Sequence, residues 1–410
     1  MRERGKGSGS DEKGGGQMQI AERLLSVPPY PFAELARLKR KAIEEGVDLI
    51  DFGIGDPDQP TPRHIVEALR EAARDPVTHQ YDETGRGLRE FREAIAFWYQ
   101  QRFGVALDPE REVLRLIGAK EGLAHLAWAV LNPGDVALVP DPAYPVYNVA
   151  GMFAGARVYR LPLVEGSGYL PDLEAIPGEV LESARLIYLC YPNMPTGAVA
   201  EVDFYRRVVE FAIKHEVLVC LDMAYSELCF DGYRTQSLLQ VEGAKAVAIE
   251  VHSLSKTYNM TGWRLGYAVG NAEVLDALEK LKSNVDSGAF LAIQRAGAAA
   301  LGGPQECVDR MRAVYQRRRD LLVEGLAELG WRVAKPKATC YVWAPAPAGQ
   351  KSAEVAERLL REAGILVTPG SAYGEHGEGY IRFSLTVQGG RAEEKIVEAV
   401  ARIRDRVALR

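Results

Sequence analysis

The chain has 410 residues, 47% hydrophobic and 26% charged, which is the balance of a soluble globular protein with room for two domains, or one large α/β domain and an appendage. That excludes a disordered or collagen-like chain, and a net charge of −6 excludes one built to coat nucleic acid or an anionic membrane. No apolar run is long enough to span a bilayer, and five cysteines (190, 220, 229, 307 and 340) without a CxxC spacing argue against a disulfide framework or zinc site and for a reducing cytoplasm.

Residues 1–17 hold Gly, Ser and charges and no large apolar side chain after Met1, so they read as a flexible tail without the apolar stretch of a signal peptide. From 113 to 270, strands and helices alternate. The candidate strands are 113–117, 136–139, 186–189, 217–221, 247–251 and 266–270, most of them short, rich in Val, Ile and Leu, and apolar on both faces. Helical segments at 121–130 and 203–215 lie between them. The pattern predicts an α/β fold with a mostly parallel sheet and helices on both faces.

Several segments in this region can carry chemistry. Gly118-Ala119-Lys120-Glu121-Gly122 joins a strand to a helix, where free backbone N–H groups make an anion site. Residues 141–147 bring two aromatics, Tyr144 and Tyr147, the second read as core. Residues 191–197 form a Pro/Gly turn around Asn193 and Met194. Asp222 closes the strand 217–221, where a carboxylate commonly caps the next element.

The most informative stretch is 252–266, which begins where the strand 247–251 ends. Ligands of open α/β sheets bind at such ends. Lys256 lies there among Ser253, Ser255 and Arg264. A lysine amine forms a Schiff base with a carbonyl cofactor, and nearby positive charge frees its lone pair. The two hydroxyls and the Arg suit a phosphate. Taken alone, Lys256 would be an ordinary surface lysine.

The chain's end changes character. Met311, Val314, Tyr315, Leu321 and Leu322 recur at helical spacing, as do Ile396, Val400 and Ile403. Short strand-like pieces at 331–333, 340–343, 365–367 and 380–384 lie between, which predicts a smaller α+β domain. Arg382 sits in the last of them.

The lysine stretch does not stand alone. Ser253-Leu254-Ser255-Lys256, Asn259, Met260, Gly262, Arg264, Leu265 and Gly266 together resemble the lysine segment of the class I and II aminotransferases, pyridoxal-phosphate enzymes of fold type I. Asp222-Met223-Ala224-Tyr225, the 118–122 turn and the 51–57 Gly/Pro segment extend the resemblance from about residue 28 to the chain's end. It implies a large sheet domain over 63–296 and a small α+β domain from 18–62 and 297–410, with 1–17 as tail.

By the same resemblance, Lys256 would bind pyridoxal 5'-phosphate and serve as the base. Asp222 would hold the pyridine nitrogen protonated, Tyr225 would donate to the ring hydroxyl, and Tyr144 would stack on the ring. Ala119, Lys120, Ser253, Ser255 and Arg264 would border the phosphate. Arg382 would grip the substrate carboxylate with a planar fork. Lys120, Arg264 and Arg382 would thus make a positive pocket in an acidic protein. Tyr81 would reach the phosphate of a neighbouring subunit, which implies a homodimer. The family usually has Asn where this chain has Met194. Either Asn193 shifts to take that role, or the ring oxygen relies on Tyr225.

Residues 28–35, 53–57, 118–122 and 256–264 resemble the bacterial LL-diaminopimelate aminotransferases. That likeness places Tyr30, Gly55, Lys120, Tyr144 and Ser287 of the partner subunit around the substrate. It implies ping-pong transfer from an amino acid, with LL-2,6-diaminopimelate the best fit, to an oxo acid such as 2-oxoglutarate. A broad-specificity alanine, aspartate or aromatic aminotransferase and a carbon–sulfur lyase would use the same Lys256. A ligand-sensing regulator ranks behind them, since no DNA-binding helix pair precedes the fold.

Overall fold

A computed structural model describes residues 20–82, 85–347 and 349–407, so the tail expected over 1–17 lies outside it. After helix Pro31–Glu44 the chain passes through β1 (Ile50–Asp51) to helices Arg63–Ala72 and Arg89–Phe103. Seven strands follow: β2 (Val113–Leu116), β3 (Val136–Asp141), β4 (Arg157–Pro162), β5 (Ala184–Cys190), β6 (Leu218–Asp222), β7 (Ala248–Ser253) and β8 (Gly266–Gly270). They form one sheet in the order β2-β8-β7-β6-β5-β3-β4, in which β8 alone runs against its neighbours.

The central strands are apolar on both faces because helices cover both. Helix Ala119–Val130 packs beside Val251 and Leu116 on one side, and Val202–His215 buries Phe204, Val208 and Ala212 on the other. The carboxyl ends of β5, β6 and β7 therefore open together at one edge, carrying Cys190, Asp222 and Ser253. Strand β4 was not among the expected strands. It is the sheet's edge, with Arg157 and Arg160 exposed, and lacks the apolar run that marks its neighbours.

The chain then forms the long helix Glu306–Glu328, β9 (Tyr341–Pro345), helix Ser352–Ala363, β10 (Ile365–Leu366), β11 (Thr368–Pro369), β12 (Tyr380–Ser384) and helix Ala392–Arg406. An antiparallel sheet runs β11-β12-β9, and β1 pairs with β10, Ile50 opposite Ile365. The expected strand at 331–333 is not formed. Its first residue, Trp331, instead packs on Phe383 and donates its indole N–H to the Pro345 carbonyl at 2.6 Å. No helix among the described residues is long and apolar enough to cross a membrane, and all five cysteines are free and buried.

Candidate active site

A cavity of about 380 Å³ lies at the carboxyl ends of β6 and β7. Strand β7 delivers the lysine. Ser253 Oγ accepts from Ser255 N at 3.2 Å, opening the single turn Leu254–Thr257, and Lys256 Nζ donates to the Gly55 carbonyl at 2.6 Å. Burial pushes the Lys256 pKa down, and the charges of Arg382 and Arg264 act in the same direction.

The next wall is backbone brought close by glycines. Gly118, at φ 75, precedes helix Ala119–Val130, and a Cβ there would lie 2.4 Å from Arg264 Nη2. Ala119, Lys120, Ser253, Ser255 and Arg264 all line the cavity. Gly266 brings β8 against this wall, since a Cβ would meet the His252 carbonyl oxygen at 2.6 Å and the Ala119 nitrogen at 2.9 Å. Both are backbone atoms that cannot swing aside. Gly266→Ala is therefore expected to destabilise the fold by about 1–3 kcal/mol. Denaturant unfolding checks this, and an unchanged midpoint refutes it.

Asp222 ends β6 and is 4% exposed. Tyr147 Oη donates to its Oδ2 at 2.7 Å, and Ala224 N donates to its Oδ1 at 3.0 Å. Among the described residues no Lys, Arg or His pairs with this carboxylate. Burial pushes its pKa up to about 6 against the pull of the two hydrogen bonds. Tyr147, expected as plain core, is fully buried and stacks on Tyr188 at 4.9 Å, but its hydroxyl also serves the carboxylate. Tyr144 meets Tyr147 edge-on at 5.8 Å and faces the cavity.

Arg382, on β12, is 1% exposed. Its Nη2 donates to the Gly53 carbonyl at 2.6 Å, and its guanidinium lies 4.3 Å from the Tyr341 ring centre and 5.1 Å from that of Tyr373. Nε has no hydrogen-bond partner, and no carboxylate among the described residues pairs with the group. Met194 Sδ is 3.8 Å from Nη1.

Asn193 corrects an expectation. Its side chain is spent within its own loop, where Nδ2 donates to the Cys190 carbonyl at 3.2 Å and Oδ1 accepts from Thr196 Oγ1 at 2.7 Å. It does not line the cavity, so it does not shift to replace what Met194 lacks. The Tyr225 hydroxyl does line it, 2.9 Å from the hydroxyl of Tyr341. Tyr341 escaped sequence reasoning because a tyrosine opening a strand carries no local signal. Tyr30 stands at the cavity edge, 40% exposed, with the Lys120 ammonium 4.4 Å from its ring centre. Tyr81 and Ser287 lie together in a separate exposed depression and do not line the cavity of their own chain.

Residues 47–403 match the family described as Aminotransferase class I and II. The chain belongs to that family. The aminotransferase is 53% identical over 387 residues to the LL-diaminopimelate aminotransferase of Moorella thermoacetica, covering 94% of this chain and 98% of that enzyme. It is 55% identical to the enzyme of the same name from Syntrophobacter fumaroxidans, over 94% of this chain and 98% of that one. Among solved structures, substrate-bound BacF from Bacillus subtilis superposes with a TM-score of 0.90 at 41% identity, covering 95% of this chain and 98% of that one. Aspartate aminotransferase from Thermus thermophilus with maleate gives 0.86 at 30% identity, over 95% and 100%. The fold is therefore that of the fold-type-I aminotransferases.

The aminotransferase site thus has a simple electrostatic form. One wall holds a buried anion without a cation, Asp222. Another holds a buried cation without an anion, Arg382. Lys256 lies in the same cavity, as does Arg264, whose Nη1 donates to the Thr261 carbonyl at 2.8 Å. Buried charges left this way are costly unless a ligand completes them.

Proposed function

We propose that this aminotransferase uses pyridoxal 5'-phosphate to move the amino group of LL-2,6-diaminopimelate to an oxo acid such as 2-oxoglutarate. The observation that carries the reading is the unmatched pair, Asp222 and Arg382, in one cavity with Lys256. A protonated pyridine ring supplies the missing cation, and an amino acid carboxylate supplies the missing anion. The residues also fit the cofactor at its other end. The hydroxyls of Ser253 and Ser255, the Arg264 guanidinium and the first amides of helix Ala119–Val130 form an anion-binding wall. When bound, pyridoxal phosphate supplies a carbonyl carbon for the amino group and a ring that absorbs the electron pair released at the substrate Cα.

The chain's own residues do the rest. Asp222 holds a proton on the ring nitrogen, and Tyr147 keeps that carboxylate aimed. Tyr144 flanks the ring, and Tyr225 donates to its oxygen. Arg382 orients the substrate carboxylate through two parallel N–H groups. Lys256 Nζ, its pKa lowered by burial, takes the proton from Cα and returns it one position along. In this reading Tyr30 and Lys120, which line the cavity together, would meet the distal end of a long donor. Diaminopimelate carries an ammonium and a carboxylate there, and Lys120 supplies a partner for the second.

The names of the Moorella and Syntrophobacter relatives, at 53% and 55% identity, support this donor. We further propose a homodimer in which Tyr81 and Ser287 of the partner subunit complete each site, since neither reaches the cavity of its own chain. Pairing of β1 with β10 supports a small domain built from 18–62 and 297–410 around the large domain 63–296.

The test is a panel of LL-diaminopimelate, alanine, aspartate and phenylalanine with 2-oxoglutarate. The expected result is a kcat/KM for LL-diaminopimelate about 10²-fold above the others, the upper end of the cost of leaving one or two polar groups unpaired. Comparable values across the panel overturn the donor. Pyruvate and ammonia formed from a β-substituted amino acid without any acceptor overturn amino transfer itself.

A further inference from the structure

Tyr341 touches both ends of this site. Its hydroxyl is 2.9 Å from that of Tyr225, and its ring face receives the Arg382 guanidinium at 4.3 Å. The site is shaped around it. A Cβ on Gly55 would fall 2.1 Å from Tyr341 Oη, and the carbonyl of that same Gly55 accepts from Lys256 Nζ at 2.6 Å. The backbone leading into Tyr341 is held tightly. Thr339 adopts φ 73, an unfavourable conformation for a β-branched residue, and its Oγ1 accepts from Tyr341 N at 3.1 Å. Tyr341 is itself only 3% exposed and lines the cavity.

We propose that Tyr341 is a positioning residue, its hydroxyl donating to the Tyr225 oxygen so that the Tyr225 proton faces the cofactor ring oxygen, and its ring fixing Arg382 for the substrate carboxylate. The inference rests on the cofactor reading above. Two observations set the direction of the hydrogen bond. The Arg382 guanidinium lies 4.3 Å from the Tyr341 ring centre, so its charge favours negative charge building on the Tyr341 oxygen. The hydroxyl beside the cation is the stronger acid and so the better donor. The second observation is the wall at Met194. A thioether donates no hydrogen bond, and its sulfur already faces Arg382 at 3.8 Å. The Tyr225 hydroxyl, backed by Tyr341, is left to serve the ring oxygen from this side. A donated bond from Tyr341 polarises the Tyr225 O–H and strengthens it as a donor in its turn.

The experiment uses the full chain loaded with pyridoxal phosphate and reads the pH midpoint of the bound cofactor's visible absorbance. Tyr341→Phe keeps the ring and removes the hydroxyl. It weakens stabilisation of the negative ring oxygen, so it is expected to raise the midpoint by about half to one pH unit, the worth of one neutral hydrogen bond. KM for the amino acid and oxo acid should stay at the wild-type value. Tyr341→Leu also removes the ring face and should raise both KM values by about tenfold, the worth of a desolvated cation–π contact. In a Tyr225→Phe background, Tyr341→Phe should give no further shift. A wild-type midpoint in Tyr341→Phe, or an equal shift without the Tyr225 hydroxyl, overturns the role of Tyr341. A wild-type chain that takes up no pyridoxal phosphate instead overturns the proposed function, and this inference with it.

Discussion

Lys256→Ala is expected to lose amino transfer almost entirely while still folding and still taking up pyridoxal phosphate. Two losses combine. The chain loses the amine hydrogen-bonded to the Gly55 carbonyl, and with it the proposed covalent hold on the cofactor. It also loses the base that moves the proton, worth about 10²–10⁴-fold in rate. Cofactor uptake should survive, because in the proposed site Arg264, Ser253, Asp222 and Tyr225 would contact other parts of the molecule. Borohydride reduction followed by mass measurement should leave cofactor on the wild-type chain and none on the variant. Lys256→Arg separates the base from the charge. A guanidinium keeps the positive charge but does not release its proton, so this variant should be as slow as Ala. The lowered pKa adds a pH test. Only the neutral amine accepts a proton, so turnover should fall on acidification as Lys256 becomes protonated. Wild-type turnover in Lys256→Ala would remove the residue from the mechanism.

Most of the groups that were legible in the sequence lie in short contiguous runs at a strand end. Ser253 ends β7 and Lys256 and Arg264 follow it within a dozen residues, Asp222 ends β6 and Tyr225 follows it, and Ala119 follows β2. Their chemistry is local, so spacing along the chain carries it. What was not legible is set by contacts across the fold. The Tyr147–Asp222 bond joins residues 75 apart, and the Tyr225–Tyr341 bond joins residues 116 apart. Arg382 reaches back 329 residues to the Gly53 carbonyl. Nothing in the run around Tyr147 distinguishes a packed ring from one whose hydroxyl orients a carboxylate. Asn193 fails for the opposite reason. Its neighbours match the family, but its amide is consumed within the loop by Cys190 and Thr196. The fold follows the same division. Strands buried on both faces show in their composition, whereas β4, an edge carrying arginines, does not.

Asp222→Asn is expected to pull stability and function in opposite directions. In the chain without cofactor, burial raises the Asp222 pKa from 3.8 to about 6. The folded state therefore binds more protons than the unfolded state between about pH 4 and 6, and stability falls as pH rises through that window. Above pH 6 the full cost of the buried charge is present, on the order of 3 kcal/mol from a displacement of that size. Asn removes the charge and keeps two hydrogen bonds, since its carbonyl accepts from Ala224 N and its amide donates to the Tyr147 oxygen. The cofactor-free variant should accordingly unfold at higher denaturant than wild type at pH 8, and at about the same concentration at pH 4. With pyridoxal phosphate the order reverses. In the proposed site the wild-type carboxylate would meet a ring cation, whereas Asn could not hold the proton on the ring nitrogen. Breaking one side of a buried charge pair costs about 3–5 kcal/mol, which corresponds to a loss of roughly 10²–10⁴-fold in turnover. A stability gain without the activity loss would mean that Asp222 does not meet the ring. An activity loss without the stability gain would mean that the carboxylate is solvated more than its burial indicates. Only the two together describe a charge that the fold tolerates because a ligand completes it.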